Sequence, residues 1–276
     1  MHEEAEVARN RSKPPSLWYS ATEVPRVLAE ISTLSCAWMP LLANAARGDG
    51  HPVLVLPGFA ANDSSTLVLR RFLSQLGYAA LPWRLGQNTG ASAKQDKLVR
   101  RFRQITQDYD QPVSIVGQSL GGVFARELAR LFPQSVRSVI TLAAPFGAID
   151  RGSTNPLVAS LFEVMSGLTV EELRDRITTN VPRTPPPVPF SAIYSKSDGV
   201  VAWQTCLEAE SDCTENIEVI GSHSGMAMHP LVLHVIADRL SQPADAWSKF
   251  DRQCGVRRMF YPKPESLPKP ESPQAR

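Results

Sequence analysis

The sequence predicts an α/β protein whose mostly parallel sheet of about six strands is flanked by helices. Two observations support this fold class. Short apolar runs alternate with amphipathic segments along most of the chain, which is the pattern of parallel strands joined by crossover helices. The chain has 276 residues, of which 43% are hydrophobic and 20% are charged. These values are typical of a globular domain that is large enough to bury its own core.

The charge balance and the cysteines exclude several classes of protein. The chain has 29 Lys and Arg residues and 27 Asp and Glu residues, so its formal net charge is only +2. We therefore expect no nucleic acid partner. The cysteines Cys36, Cys206, Cys213 and Cys254 lack the spacing of a zinc site. We therefore expect neither a metal nor a cofactor. A small disulfide between Cys206 and Cys213 and two free thiols are equal alternatives.

Residues 1–50 are predicted to form a polar arm followed by a helical segment. Apolar side chains recur there with a helical period, at Val27, Leu28, Ile31, Leu34 and Trp38. Ala43-Asn44-Ala45 resembles a signal-cleavage site, but Glu30, Pro40 and an acidic leader argue against a signal peptide. No segment is expected to have the length and apolar composition of a membrane span. We expect a cytoplasmic protein, with secretion and peripheral membrane association as open alternatives.

The predicted α/β core comprises residues 51–145 and 189–243. The first strand, Val53–Leu56, is a short and wholly apolar run, as expected when both faces of a strand are buried. Further strands are predicted at Tyr78–Leu81, Val113–Val116, Val136–Leu142, Phe190–Tyr194 and Ile217–Ile220. Asp63 or Ser64 is expected to cap the first crossover helix, and Gly77 to close it. A last helix is predicted to begin near Pro230.

The alternation of strands and helices stops after Pro145. Residues 146–188 are predicted to form a helical insert, with helices around Leu157–Met165 and Val170–Ile177 and a proline-rich connector at Val181–Pro189. Its first half is apolar, so the insert either acts as a lid over a hydrophobic pocket or packs on the domain. Residues 244–276 are rich in proline and are predicted to be a disordered tail.

A G-x-S-x-G motif, Gly117-Gln118-Ser119-Leu120-Gly121, lies between a buried strand and an amphipathic helix. This is the context of a nucleophile elbow, which exposes a serine on a tight turn beside a base. The two glycines remove side chains that would collide with neighbouring elements. The N–H of Leu120 begins a helix and is free to stabilise an oxyanion. The alternative is a serine that caps an ordinary crossover helix.

The candidate base and acid are His223 and Asp198. His223 lies in a flexible loop, Gly221-Ser222-His223-Ser224-Gly225, directly after a predicted strand. Asp198, in Ser197-Asp198-Gly199, follows the preceding strand and would accept the imidazole N–H and stabilise the imidazolium. Asp212 is the second candidate for the acid. The alternatives are a simple loop histidine and an ordinary Asp-Gly turn.

The second oxyanion donor is expected in the loop after the first strand, Leu56-Pro57-Gly58-Phe59. Gly58 would let the backbone turn close to the reacting carbonyl, so that the N–H of Phe59 donates to the oxyanion. A plain Pro-Gly turn is the alternative interpretation.

These segments, with Thr141-Leu142-Ala143-Ala144-Pro145 and Ser197-Asp198-Gly199-Val200-Val201, occur in order along the chain. Together they resemble the α/β-hydrolase superfamily, in particular its bacterial lipase and esterase branch, over residues 52 to 241. The resemblance implies a nucleophile, an acid, a base and two oxyanion donors, at Ser119, Asp198, His223, Phe59 and Leu120. It also implies that the first two strands of the complete fold are absent. Pro57 and Gln118 stand where lipases often have histidine, which leaves the subfamily open.

We therefore expect a carboxylic ester hydrolase that acts through an acyl-enzyme on a hydrophobic ester. The residues expected at the substrate are Phe59, Gln118, Phe146, Leu161 and Val200. An acyltransferase, a peptidase or amidase, and a non-catalytic binding module on the same fold are the alternatives. The oligomeric state stays open.

Overall fold

The computed structural model describes residues 14–146, 154–167, 169, 172, 185–243 and 246–264. Six parallel strands form one sheet in this part of the chain, in the order β2-β1-β3-β4-β5-β6. They are β1 Pro52–Leu56, β2 Ala79–Pro82, β3 Val113–Gln118, β4 Val136–Leu142, β5 Phe190–Tyr194 and β6 Thr214–Glu218. The predicted α/β class with about six parallel strands is confirmed.

Helices cover both faces of the sheet. They are α1 Leu17–Ala21, α2 Glu23–Asn44, α3 Leu67–Leu76, α4 Ser92–Tyr109, α5 Leu120–Leu131, α6 Pro156–Ser166, α7 Pro230–Leu240 and α8 Arg257–Phe260. Two hydrophobic clusters fill the space between helices and sheet. Leu54 and Leu56 of β1 belong to one cluster, with α4, α5 and α6, and Val53 and Val55 belong to the other, with α2, α3 and α7. Alternate side chains of β1 therefore pack into two separate hydrophobic cores, one on each face of the sheet.

The order of the strands reverses direction beside β1. From β1 the chain crosses to β2 on one side and then to β3 on the other. The connections after β1 and β3 therefore diverge, and in an open parallel sheet such a reversal leaves a binding crevice at the carboxyl ends of the strands. The loops after β5 and β6 leave from the same edge.

Strand β6 begins earlier in the sequence than its apolar residues predict. Its first residues are polar, yet the whole strand is buried. Glu215 accepts a hydrogen bond from Ser191 Oγ at 2.7 Å, and Glu218 accepts one from the Tyr194 hydroxyl at 3.1 Å. Because these side chains find partners on β5, charged residues can be buried in this edge strand.

Helix α3 is capped differently from the prediction. The helix begins at Leu67, and the Asp63 carboxylate accepts from the backbone N–H groups of Trp83 and Arg84 at 3.0 and 3.1 Å. The expected cap at Asp63 or Ser64 is therefore wrong, because Asp63 secures the end of β2 instead. Gly77 closes α3 with φ 101°, as predicted.

The insert and the tail are described in part. Helix α6 occupies the place of the first predicted helix of the insert, whereas the second, Val170–Ile177, lies outside the described residues. Residues 246–264 were expected in a disordered tail, and for them that expectation is wrong. Phe250 and Tyr261 are buried in the core, and the Tyr261 hydroxyl donates to the Leu231 carbonyl at 3.0 Å. The burial of these two aromatic side chains holds the segment on the domain in spite of its proline-rich composition.

All four cysteines are free thiols, so Cys206 and Cys213 are not bridged. Helix α2 has the length and composition of a membrane span, with 22 residues and a window of mean hydropathy 1.2. The prediction that no segment reaches these values is wrong for α2. Length and hydropathy alone do not show that a helix crosses a membrane, because signal segments and packed helices reach the same values.

Candidate active site

The structure brings the predicted nucleophile, base and acid together at the carboxyl edge of the sheet. Nε2 of His223 lies 3.1 Å from Oγ of Ser119, and Nδ1 of His223 lies 2.7 Å from Oδ2 of Asp198. Ser119 follows β3, Asp198 follows β5 and His223 follows β6. Asp198 and His223 are buried, and Ser119 is half-buried. These distances suit proton transfer from the hydroxyl to the imidazole.

Ser119 occupies a strained turn between β3 and α5. Its backbone has φ 50° and ψ −123°, a region that residues with side chains rarely adopt. A Cβ atom on Gly117 would collide with the Gly121 carbonyl, and one on Gly121 would lie 2.5 Å from the Leu56 carbonyl oxygen. The predicted steric reason for both glycines is confirmed, since only glycine lets the turn pack this closely against β1.

The backbone donors Phe59 and Leu120 flank the serine. In the described part of the structure, neither of their N–H groups donates to a protein acceptor. A Cβ atom on Gly58 would lie 3.3 Å from Cβ of Ser119, which puts the loop after β1 against the nucleophile. Two N–H groups without protein partners beside a serine hydroxyl can stabilise a developing oxyanion.

Asn88 was missed by the sequence interpretation. It is fully buried, and its side-chain Nδ2 donates to the Pro57 carbonyl at 2.9 Å. Its backbone carbonyl accepts from the N–H of Ala60 at 2.8 Å. Asn88 thus fixes the loop that carries Phe59. The available signal was the pair of amides Gln87 and Asn88 between Gly86 and Gly90, which the sequence alone does not connect to the loop after β1.

The acid is anchored by its own loop. Oδ1 of Asp198 accepts from the N–H groups of Val200 and Val201 at 2.7 and 2.8 Å, so Oδ2 remains for His223. Burial alone would lower the pKa of His223, but the charge of Asp198, its hydrogen bond and the charge of Glu23 outweigh burial and raise the pKa. The environment therefore favours the imidazolium that forms when the base takes a proton.

Among the expected substrate residues, Gln118 contacts the base loop. Its Nε2 donates to the carbonyls of His223 and Ser224 at 3.1 and 3.3 Å, which holds the base against the end of β3. The ring of Phe59 packs edge-on against Phe162 of α6, with 5.2 Å between centroids. Helix α6 of the insert therefore contacts the loop after β1 that carries Phe59.

Phe146 and Val200 have structural contacts of their own. Phe146 is 6% exposed and packs edge-on against Phe190 at 5.7 Å, while Val200 supplies one of the N–H groups that hold the acid. The side chain of Leu161 lies outside the described part of the structure. A substrate role for these three residues stays a prediction.

Comparisons with known proteins relate the chain to one fold. A family profile described as the alpha/beta hydrolase fold matches residues 38–185, which include Ser119 and end before Asp198 and His223. No curated protein matches the sequence significantly.

Several solved structures are similar at low identity. Aspergillus fumigatus lipase B has a TM-score of 0.54 at 16% identity, over 72% of this chain and 55% of the lipase. A Paleococcus ferrophilus monoacylglycerol lipase has a TM-score of 0.51 at 12% identity, over 70% of this chain and 96% of that protein. The alpha/beta hydrolase domain-containing protein 10 from mouse has a TM-score of 0.50 at 18% identity, over 71% and 90% of the two chains. The chain thus spans about half of the first lipase, and these likenesses concern the fold alone.

Proposed function

Since the chain belongs to the alpha/beta hydrolase family, we propose that it is a serine hydrolase that cleaves carboxylic esters through an acyl-enzyme. The observation that carries this proposal is the continuous chain of contacts from Ser119 Oγ to His223 Nε2, at 3.1 Å, and from His223 Nδ1 to Asp198 Oδ2, at 2.7 Å. Such a chain activates a hydroxyl that is otherwise a poor nucleophile.

In the first half of the proposed reaction, Ser119 Oγ attacks the ester carbonyl carbon while His223 Nε2 takes the hydroxyl proton. The carbonyl oxygen becomes an oxyanion that accepts from the N–H groups of Phe59 and Leu120. The carbon–oxygen bond to the alcohol then breaks. The alcohol leaves with the proton from His223, and the acyl group remains on Ser119.

In the second half, His223 takes a proton from water, and the resulting hydroxide attacks the acyl carbon. The second oxyanion is held by the same donors. When it collapses, the bond to Ser119 Oγ breaks, the serine regains the proton from His223, and the carboxylic acid leaves. Asp198 stays ionised throughout and keeps the imidazole oriented.

The proposal that the acyl group is hydrophobic is supported by the residues around Phe59. Phe162 of α6 is buried against Phe59, and a Cβ atom on Gly90 would collide with the Phe162 ring. The described wall of the site beside Phe59 is therefore apolar and aromatic, as is usual for pockets that bind alkyl chains.

The test is a series of p-nitrophenyl esters of increasing acyl length, together with labelling by a fluorophosphonate probe. We expect wild type to hydrolyse the esters and to bind the probe covalently. Ser119→Ala should lose labelling and fall by about 10⁶-fold in kcat, toward the uncatalysed rate. A wild-type protein that neither reacts with the probe nor hydrolyses any ester would contradict the proposal. Transfer of the acyl group to an added alcohol in preference to water would identify an acyltransferase instead.

The chain offers a matched control in a second Asp–His–Ser arrangement. Asp49 Oδ1 lies 2.5 Å from His51 Nδ1, and His51 Nε2 lies 2.9 Å from Ser114 Oγ. Ser114 is fully buried in β3, where no substrate carbonyl can reach it. Ser114→Ala should therefore keep both probe labelling and ester hydrolysis.

A further inference from the structure

Helix α2 carries three charged side chains, and all three lie on one face. Glu23, Arg26 and Glu30 stand at positions i, i+3 and i+7, which fall on the same side of an α-helix. Both carboxylate residues are only 9% exposed. The other residues of α2 are uncharged, so the charged face of this helix is turned toward the protein, opposite to the usual surface helix.

Two carboxylates hold the loop that carries the base. Glu30 accepts from the N–H of Ser222 at 2.6 Å with Oε1 and from the Ser222 hydroxyl at 2.5 Å with Oε2. Glu23 accepts from the N–H of Ser224 at 2.8 Å with Oε1. The backbone N–H groups of Ser222 and Ser224, on either side of His223, therefore each donate a charge-assisted hydrogen bond to a carboxylate of α2.

A guanidinium and a hydroxyl hold the loop that carries the acid. Arg26 Nη1 donates to the Ser197 carbonyl at 2.8 Å and to the Gly221 carbonyl at 3.3 Å. Ser20 Oγ of α1 donates to the Gly199 carbonyl at 2.6 Å. One arginine thus bridges the acid loop and the base loop, and Ser20 binds the residue that follows Asp198.

The glycines of the two loops make room for the N-terminal helices. A Cβ atom on Gly225 would overlap the carboxylate of Glu30, and one on Gly199 would lie 2.5 Å from the Tyr19 carbonyl oxygen. Neither glycine has a positive φ. Close approach of α1 and α2, and not an unusual backbone conformation, requires glycine at these two positions.

We propose that Glu23, Arg26 and Glu30 of α2 are positioning residues, which clamp the loops of Asp198 and His223 so that the base stays within reach of Ser119. This inference rests on the proposed function. It assigns a role in the reaction to a helix whose first fifteen residues, 23–37, precede the segment matched by the family profile. A misplacement of about 1 Å between catalytic groups can reduce a rate by about 100-fold.

Glu23 has a second effect. Its charge is one of the contributions that raise the pKa of His223, after the charge and hydrogen bond of Asp198 and against the effect of burial. It therefore favours the imidazolium during acyl transfer, a contribution that a purely structural contact would not make.

The first test compares Glu30→Ala, Glu30→Gln and Ser32→Ala in the full chain. Ser32 is an exposed residue of the same helix, and its hydroxyl donates to the Leu28 carbonyl within α2. We expect Glu30→Ala to lower kcat by about 10- to 100-fold, with a small change in KM. Glu30→Gln should recover much of the loss, because its amide oxygen still accepts from the N–H of Ser222. Ser32→Ala should match wild type.

The second test measures the pKa of His223 by NMR titration in wild type and in Glu23→Gln. We expect a lower pKa in the variant, and the acid limb of kcat/KM should move to lower pH by the same amount. The NMR reading does not depend on turnover. An inactive wild type would therefore reject the proposed function, while the titration would still decide whether Glu23 acts on the base.

The inference is overturned if folded Glu30→Ala retains the kcat of Ser32→Ala, or if Glu23→Gln leaves the pKa of His223 unchanged. Should Glu30→Ala fail to fold, Ser222→Ala takes its place, because it removes the hydroxyl that donates to Glu30 and accepts from the N–H of Gly225 while the backbone N–H of Ser222 remains. A folded Ser222→Ala protein with unchanged kcat would count against the clamp, and a decrease without a change in KM would support it.

Discussion

Asp198 divides its two carboxylate oxygens between its own loop and His223. Oδ1 accepts from two backbone N–H groups of the loop, and Oδ2 lies 2.7 Å from Nδ1 of His223. The two backbone N–H groups therefore orient the carboxylate independently of its contact with the imidazole. A substitution that keeps these two bonds but removes the negative charge can test the role of the charge alone.

Asp198→Asn keeps an oxygen for the two backbone donors but replaces the charge. We expect kcat to fall by about 10³- to 10⁴-fold, because the imidazole loses the partner that fixes its tautomer and stabilises its cation. The measurement is kcat with a p-nitrophenyl ester, with circular dichroism to verify folding. Asp212→Asn is the matched control, since Asp212 is exposed. Equal losses in both variants would refute the assignment of Asp198 as the acid.

The activity should depend on pH through His223. The base acts as the neutral imidazole, and its pKa is raised above the ordinary value of 6.5, since Asp198 and Glu23 outweigh the opposite effect of burial. As pH falls through this raised pKa, kcat/KM should decrease about tenfold per pH unit. A pH profile of kcat/KM measures the midpoint. A midpoint at or below 6.5 would contradict the raised pKa.

The stability should depend on pH through His51. Burial lowers the pKa of His51, against the hydrogen bond of Asp49 and together with the charge of Arg137. Below the ordinary pKa of 6.5, the unfolded chain therefore binds a proton that the folded protein does not, and stability falls as pH falls. Asp49 does not interfere near neutrality. Burial would raise its pKa, but the hydrogen bonds and charge of His51, with Arg137, lower it to about 2.

Urea denaturation at about pH 7.5 and about pH 5.5 measures this effect in wild type and His51→Gln. Wild type should lose more stability than the variant between the two conditions. The other histidines are present in both proteins, so their contributions cancel. A variant that loses as much as wild type would show that His51 is protonated in the folded state.

Glu215 should be important for stability because it joins the sheet to the C-terminal segment. Its carboxylate accepts from Ser191 Oγ, from Arg239 Nη1 at 3.0 Å and from the N–H of Phe250 at 2.6 Å. Glu215→Ala should cost about 1 to 3 kcal/mol, because it removes the acceptor of the Phe250 N–H and the Ser191 hydroxyl, whereas Arg239 keeps its ion pair with Asp238.

The exposed pair Lys249–Glu210 is the control for Glu215. Its side chains are 47% and 27% exposed, against 3% and 6% for Arg239 and Glu215. Glu210→Ala should cost less than about 1 kcal/mol. Thermal or urea unfolding measures both variants, and similar losses would mean that burial does not amplify the Glu215 contact.

The fold and the central contacts of the site follow from patterns that are local in sequence. The first five strands were predicted from apolar residues that lie close together in the sequence, and Ser119, Asp198 and His223 each follow the carboxyl end of a strand. Because parallel strands bring these ends to one edge, the sequence predicts that the three residues meet. The predicted α/β-hydrolase fold is confirmed, whereas the bacterial branch is not singled out by similar structures from Aspergillus fumigatus and mouse.

The contacts that were missed depend on distant partners. Nothing near Glu30 indicates Ser222, and nothing near Asn88 indicates Pro57, because each side chain binds backbone from another part of the chain. The start of β6 was missed for a similar reason, since a charged residue such as Glu215 is buried in a strand only where it has hydrogen-bond partners, and its partners lie on other elements. The spacing of Glu23, Arg26 and Glu30 was a usable signal, because three charges on one face of an apolar helix indicate a polar surface beneath it.

The bond between Glu30 and Ser222 joins residues 192 positions apart. During translation, α2 therefore leaves the ribosome long before the loop that neutralises its buried charges has been made. Until then the carboxylate of Glu30 lacks the N–H and hydroxyl partners that it has in the folded protein. Because contacts of such long range form late, α2 should dock on the loop of His223 late in folding, and activity should appear only after that contact has formed.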